Sequence, residues 1–255
     1  MTIPNYGDKY DSPALFSAPT RSTGRVAISG PKFQTPSSSP ISGTSSRRYW
    51  RSVRAIRSRS FGTSRFIPST NTSASVGGFS IGAPATGTVA ENLIAAGAEV
   101  LCIVGSGGTL QQDIEPIDAV IADRAIRDEG VSYHYLPPEK DATPSLELTD
   151  RLEARFEDSE VTTHRGTTWT TSAFYRETVA EIERYAEDGV VSVEMEAAAL
   201  FAVAEFRGVD AAAVFDIGDL LTEEEWDSGV GYENLQPKLL DPAIAALHDL
   251  LGVDG

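Results

Sequence analysis

From Val76 onward, short apolar runs alternate with stretches of helical period, and that alternation admits few folds. SVGGFSIG reads as a strand with a glycine-rich end, and residues 83–98 read as a helix. EVLCIVG is a short apolar run of buried-strand type that runs into GSGGTL, read as a turn. DAVIADRAI, VTTHRGTTWTT, VVSVE and VDAAAVFDIG read as further strands. Helices are expected over residues 145–156, 177–187, 195–207 and 242–251. Strands that alternate with helices predict an α/β fold: one three-layer α/β/α domain around a central mixed sheet.

At 255 residues the chain is long enough to bury a full core. No apolar run approaches a membrane span, and no basic segment followed by an apolar one opens the chain. Cys102 stands alone in an apolar run, so no disulfide is expected. His134, His164 and His248 show no ligand spacing, so no metal is expected either. These features predict a cytoplasmic protein with no membrane partner.

Charge divides the chain. Residues 1–11 carry a net −1, residues 12–90 a net +10 and residues 91–255 a net −25, with no acid between Asp11 and Glu91. The acidic part suits a surface that stays soluble at high salt, as in halophilic proteins, and it opposes nucleic acid. Three segments follow: 1–19, an anomalous Ser/Arg-rich stretch at 20–75, and an orderly domain at 76–255. The stretch at 20–75 could be a basic arm or a disordered insert. Translation in a shifted frame accounts for it better. In a GC-rich gene, reading one base early turns acid codons into Arg codons and nearby Val or Ile codons into Ser codons. That reading predicts low order or poor packing over 20–75, and the nucleotide sequence decides it.

Ligands of open α/β sheets gather beyond the carboxyl ends of strands, and four such places here carry candidate groups. Gly105, Ser106 and Gly107 offer small residues, backbone amides and a hydroxyl, which suit phosphate; a plain tight turn is the simpler alternative. Phe174 and Tyr175, after TTWTTSA, could stack on a base or pack in the core. Glu194, Met195 and Glu196 fall where a buried strand turns into an amphipathic helix. A carboxylate there can accept bonds from two neighbouring sugar hydroxyls, or can simply open a helix. Asp219, after the strand ending near Ile217, is either a helix cap or a general acid, while Asp216 lies inside the strand.

VEMEAAALFAVAEFRG, GSGGTLQ with its following strand, TTSAFY and the unit ending DIGDLL occur in one order. On these motifs the chain resembles the type I nucleoside phosphorylase family, which includes purine nucleoside phosphorylase and uridine phosphorylase. The resemblance covers residues 76–251, and NYGDKYDSPALFS at 5–17 is similar to the family's N-terminal sequence. It implies cleavage of an N-glycosidic bond by phosphate, a co-substrate, with no cofactor. It implies that Met195 and Glu196 contact the ribose with Glu194 in support, and that Phe174 lies against the base. Ser106 and the flanking Gly105 and Gly107 amides would hold phosphate, and Asp219 would protonate the departing base. Arg176 could assist either base. The resemblance also implies a homo-oligomer, a trimer or hexamer.

Three departures bear on the chemistry. Ile103 stands where family members often carry an arginine, and the glycine–arginine phosphate loop is not found in the Ser/Arg stretch. Thr178 and Ala180 replace the glutamine and arginine that recognise uracil. Purine and uridine therefore both stand as substrates. Hydrolysis by water, or an inactive and N-terminally damaged copy, are the alternatives.

Overall fold

The computed structural model describes residues 27–29, 65–68, 74–77, 80–221, 226–227 and 236–252. Among the described residues nine strands form one mixed sheet: β1 (Ala27–Ser29), β2 (Arg65–Pro68), β3 (Ala74–Gly77), β4 (Val100–Thr109), β5 (Ala119–Asp128), β6 (Thr163–Thr171), β7 (Ser192–Glu194), β8 (Asp210–Leu221) and β9 (Trp226–Asp227). The helices described beside them are α1 (Ala83–Ala95), α2 (Leu146–Glu157), α3 (Val179–Glu187), α4 (Ala197–Arg207) and α5 (Gln236–Leu251). Most of the stretch at 20–75 lies outside the described residues, so its expected low order does too. Within it, β1 runs parallel to β3 and β4, and β2 runs antiparallel to β3.

The side-chain alternation of a strand sorts the core into two layers. Leu101 and Ile103 of β4, with Ala211, Ala213 and Phe215 of β8, face α1 and α4. Val100, Cys102 and Val104, with Ala212 and Val214, face α2 and α5. Helices therefore cover both sides of the mixed sheet, as the alternating sequence pattern requires. Residues Ala197 to Ala204 of α4 are all buried, which explains their small, unbroken apolar run. Gly208 ends that helix at φ 69°, a left-handed conformation that costs glycine little. A smaller cluster of Leu110, Trp169, Ile182, Val190, Val193 and Leu221 seats α3.

Two boundaries differ from the sequence reading. β4 does not end at Val104 but continues through Gly105–Thr109, so the expected turn is strand. The last helix starts at Gln236 and carries Pro242 inside it, instead of starting at Pro242.

The pairing of β4 creates the important opening. One edge pairs with β8 along its whole length. The other edge pairs with β1 only as far as Val104, and with antiparallel β7 only from Gly108 onward. Between them the edge has no strand partner among the described residues. Neighbours that diverge from a shared strand leave a crevice at its carboxyl end, where an α/β sheet presents its ligands.

Candidate active site

At the β7–α4 junction, helix α4 begins at Ala197, with Glu196 in the cap position. The first helical amides lack intrahelical partners, and Glu194 supplies them. Its Oε2 accepts from the amides of Glu196 at 2.6 Å and Ala197 at 2.7 Å. Its Oε1 accepts from the Thr170 hydroxyl of β6, whose oxygen in turn accepts from the Ala198 amide at 3.0 Å. Glu194 is thus a structural acid at a helix start, 4 % exposed.

Glu196 does something different. Its Oε1 accepts from the Gly82 amide at 2.5 Å, and its Oε2 has only the Met195 amide at 3.3 Å. Gly82 sits at φ 87° before α1, which turns its amide toward this carboxylate. Met195 is half-buried, its methyl group lying close to Gly82. Burial, then the negative Glu196, push Glu194 up to about 8, and burial also raises Glu196. Two carboxyls this close titrate as a unit and hold a proton near neutrality.

The glycines of β4 are explained by close approach. A Cβ on Gly107 would meet the Val193 carbonyl oxygen at 2.6 Å, and one on Gly108 would meet Asp219 Oδ1 at 2.5 Å. On β8 the register slips so that Gly107 faces Ile217 but Gly108 faces Asp219, leaving Gly218 as the extra residue of a bulge. β8 runs on to Leu221, so Asp219 is a strand residue and not a helix cap. It is 6 % exposed and packs over Gly108. Ser106 is half-buried, and its hydroxyl donates to Asp216 Oδ1 at 2.5 Å.

Beyond β6, Phe174–Arg176 form a single 3₁₀ turn. Phe174 is half-buried against Tyr175, their ring centres 5.0 Å apart, while Arg176 is exposed. Glu177 follows, half-buried. Burial, then the charge of nearby Asp219, push it up to about 7. A capping box between Thr178 and Glu181 fixes the start of α3 immediately afterwards.

The structure therefore gathers Glu194, Met195 and Glu196 with Gly82, and it brings Gly107 and Gly108 against β7 and Asp219. Arg176 is left at the surface. Sequence reasoning missed Gly82, Thr170 and Glu177. Gly82 had a signal, a glycine directly before a helix-opening Ala-Pro; Thr170 and Glu177 gain their roles only through long-range contacts. Among the described residues no group of three His, Cys, Asp or Glu side chains could hold a metal ion. No helix among the described residues is long and apolar enough to cross a membrane.

Comparison with known proteins identifies the family to which the chain belongs. A profile described as the phosphorylase superfamily matches residues 35–236. The chain belongs to that family. It is 33 % identical over 134 residues to a guanosine phosphorylase of Halorubrum lacusprofundi, covering 52 % of this chain and 56 % of that protein. It is 35 % identical over 150 residues to a uridine phosphorylase of Thermococcus kodakarensis, covering 52 % and 53 %. It is 31 % identical over 156 residues to a DeoD-type purine nucleoside phosphorylase of Streptococcus gordonii, covering 60 % and 66 %. The matches thus span between half and two thirds of these relatives.

Proposed function

We propose that this protein cleaves the N-glycosidic bond of a nucleoside with phosphate, yielding free base and ribose 1-phosphate. The observation that carries this reading is Glu196, a buried carboxylate fixed by the Gly82 amide while its second oxygen makes one long bond. Such an oxygen can accept from the 2′ and 3′ hydroxyls of a ribose. Contacts to the 2′ hydroxyl strengthen as oxocarbenium charge develops on the sugar, so they favour the transition state over the substrate. Glu194 holds the junction, Met195 lies against the sugar, and Phe174 lies against the base with Arg176 at the rim. Ser106 with the Gly105 and Gly107 amides receives phosphate at the edge of β4 that has no strand partner among the described residues.

Asp219 is the proton donor to the departing base, and Glu177 beside it keeps a proton available near neutrality. A base-side acid favours purines, which leave most readily when protonated. The names of the guanosine and purine relatives agree with that preference, and the uridine relative keeps uridine in the comparison. A homo-oligomer fits the exposed Tyr175 and Val179 near the base side, apolar surface that a second copy would cover.

Hydrolysis is the second reading, favoured by one observation: β4 and β8 contain no Lys, Arg or His, and Ile103 is buried in the core. Measuring base release from guanosine, adenosine and uridine, with and without phosphate, separates the two. Release that requires phosphate and yields ribose 1-phosphate supports phosphorolysis. Equal release without phosphate replaces it with hydrolysis, and no release from any nucleoside removes both.

A further inference from the structure

Ser106 and Asp216 lie directly opposite each other in the parallel β4–β8 ladder. The serine hydroxyl has one proton, and it is given to Asp216 Oδ1 at 2.5 Å. Asp216 is 1 % exposed, and its Oδ2 is buried without any hydrogen-bond partner. An orphaned buried carboxylate oxygen is costly, and the cost falls when a ligand brings a donor to it. Ser106 lies in the stretch of β4 whose other edge has no strand partner among the described residues, and Asp216 lies across the edge that pairs with β8. Beside the Ser106 hydroxyl the pair thus presents one unused acceptor, Asp216 Oδ2.

We infer that Asp216 is an anion-selecting residue, accepting a hydrogen bond from a proton that the oxyanion itself carries. Phosphate at neutral pH exists as HPO₄²⁻ and H₂PO₄⁻, and both keep at least one P–OH. Arsenate does the same. Sulfate keeps no proton and would set its lone pairs against those of Asp216. The site therefore takes proton-bearing tetrahedral oxyanions and rejects sulfate, although the two anions match closely in size and shape. Selection of this kind works by repulsion of the wrong ligand as much as by attraction of the right one. Burial pushes Asp216 up to about 6, which leaves it ionised and acceptor-only at pH 7.5. The inference rests on phosphate being the second substrate, and it assigns the residue that recognises it.

The test is equilibrium binding of inorganic phosphate, arsenate and sulfate to the full chain at pH 7.5, with no nucleoside present. Phosphate and arsenate should bind at least about tenfold more tightly than sulfate. In Asp216→Asn the amide can donate, so sulfate should come within about twofold of phosphate. Equal binding of sulfate and phosphate by the unaltered protein overturns the inference, as does failure to bind any of the three. An unchanged phosphate-to-sulfate ratio in a folded Asp216→Asn protein also overturns it. Should that variant not fold, the ratio in the unaltered protein decides alone. Base release is measured separately: lost anion selectivity with intact release removes only this inference, and intact selectivity without release removes only the reading above.

Discussion

Glu194 turns both carboxylate oxygens inward, onto two amides and the Thr170 hydroxyl, whereas Glu196, two residues on, leaves one oxygen with a single long bond. The difference predicts different failures. Glu196→Gln keeps the shape and loses the charged acceptor, so turnover should fall about 10- to 100-fold, as expected for one charged hydrogen bond. The fold should persist, and near-normal turnover with an unchanged circular dichroism spectrum would take Glu196 out of the site. Glu194→Ala strips the first amides of α4 of their acceptor in a buried place. It should lower stability by about 2 kcal/mol or more, measured by urea unfolding. A stability loss well under that in Glu194→Ala would mean that water or another group caps the helix.

At the scale of elements, the alternating runs made the strands and helices of 80–221 legible, because apolar period reports burial directly. The motif at Glu194–Glu196 was legible for the same reason: two acids at the end of an apolar strand needed an explanation. Gly105–Thr109 misled because a glycine run has the local signature of a turn. Here the glycines answer a tertiary need, the close passage of β4 against β7 on one side and Asp219 on the other. Glu177 and Asp216 were obscure for a related reason, since neither neighbour along the chain reveals Asp219 or Ser106 across space. Gly107→Ala tests this account. Its Cβ would fall 2.6 Å from a backbone oxygen, which cannot rotate away. The variant should lose about 1–3 kcal/mol of stability, a typical cost of overpacking, and base release should fall with it. A variant with unchanged stability would show that β4 and β7 can part at no cost, and the crevice would then be less fixed than its pairing suggests.

The molecule as a whole carries formal charge −16 at pH 7, and several of its carboxyls are buried. Two consequences for stability can be separated. Glu194 rises from 4.5 to about 8 on folding and Asp216 from 3.8 to about 6, while Glu196 is raised too. A carboxyl with a raised folded-state pKa binds more protons in the folded state. Its stabilising effect is complete below the unfolded value and is lost as pH climbs through the folded one. Glu177, raised to about 7, acts in the same direction, but solvent screens its share because it is only half-buried. Asp249 and Glu181 are lowered by their partners Arg155 and Thr178, so they oppose this only when pH falls below the ordinary carboxylate range. Melting temperature should therefore peak near about pH 5 and decline toward about pH 8.5. Surface repulsion among the excess acids also grows with pH, but salt screens exposed charges far more than buried ones. Molar salt should raise the whole curve and leave much of the decline between pH 5 and pH 8.5 in place. Glu194→Gln should flatten what remains, because glutamine does not titrate. A melting temperature that rises steadily from pH 5 to pH 8.5 in high salt would mean that the buried carboxyls are already ionised at low pH, and that the helix-start amides outweigh burial at Glu194.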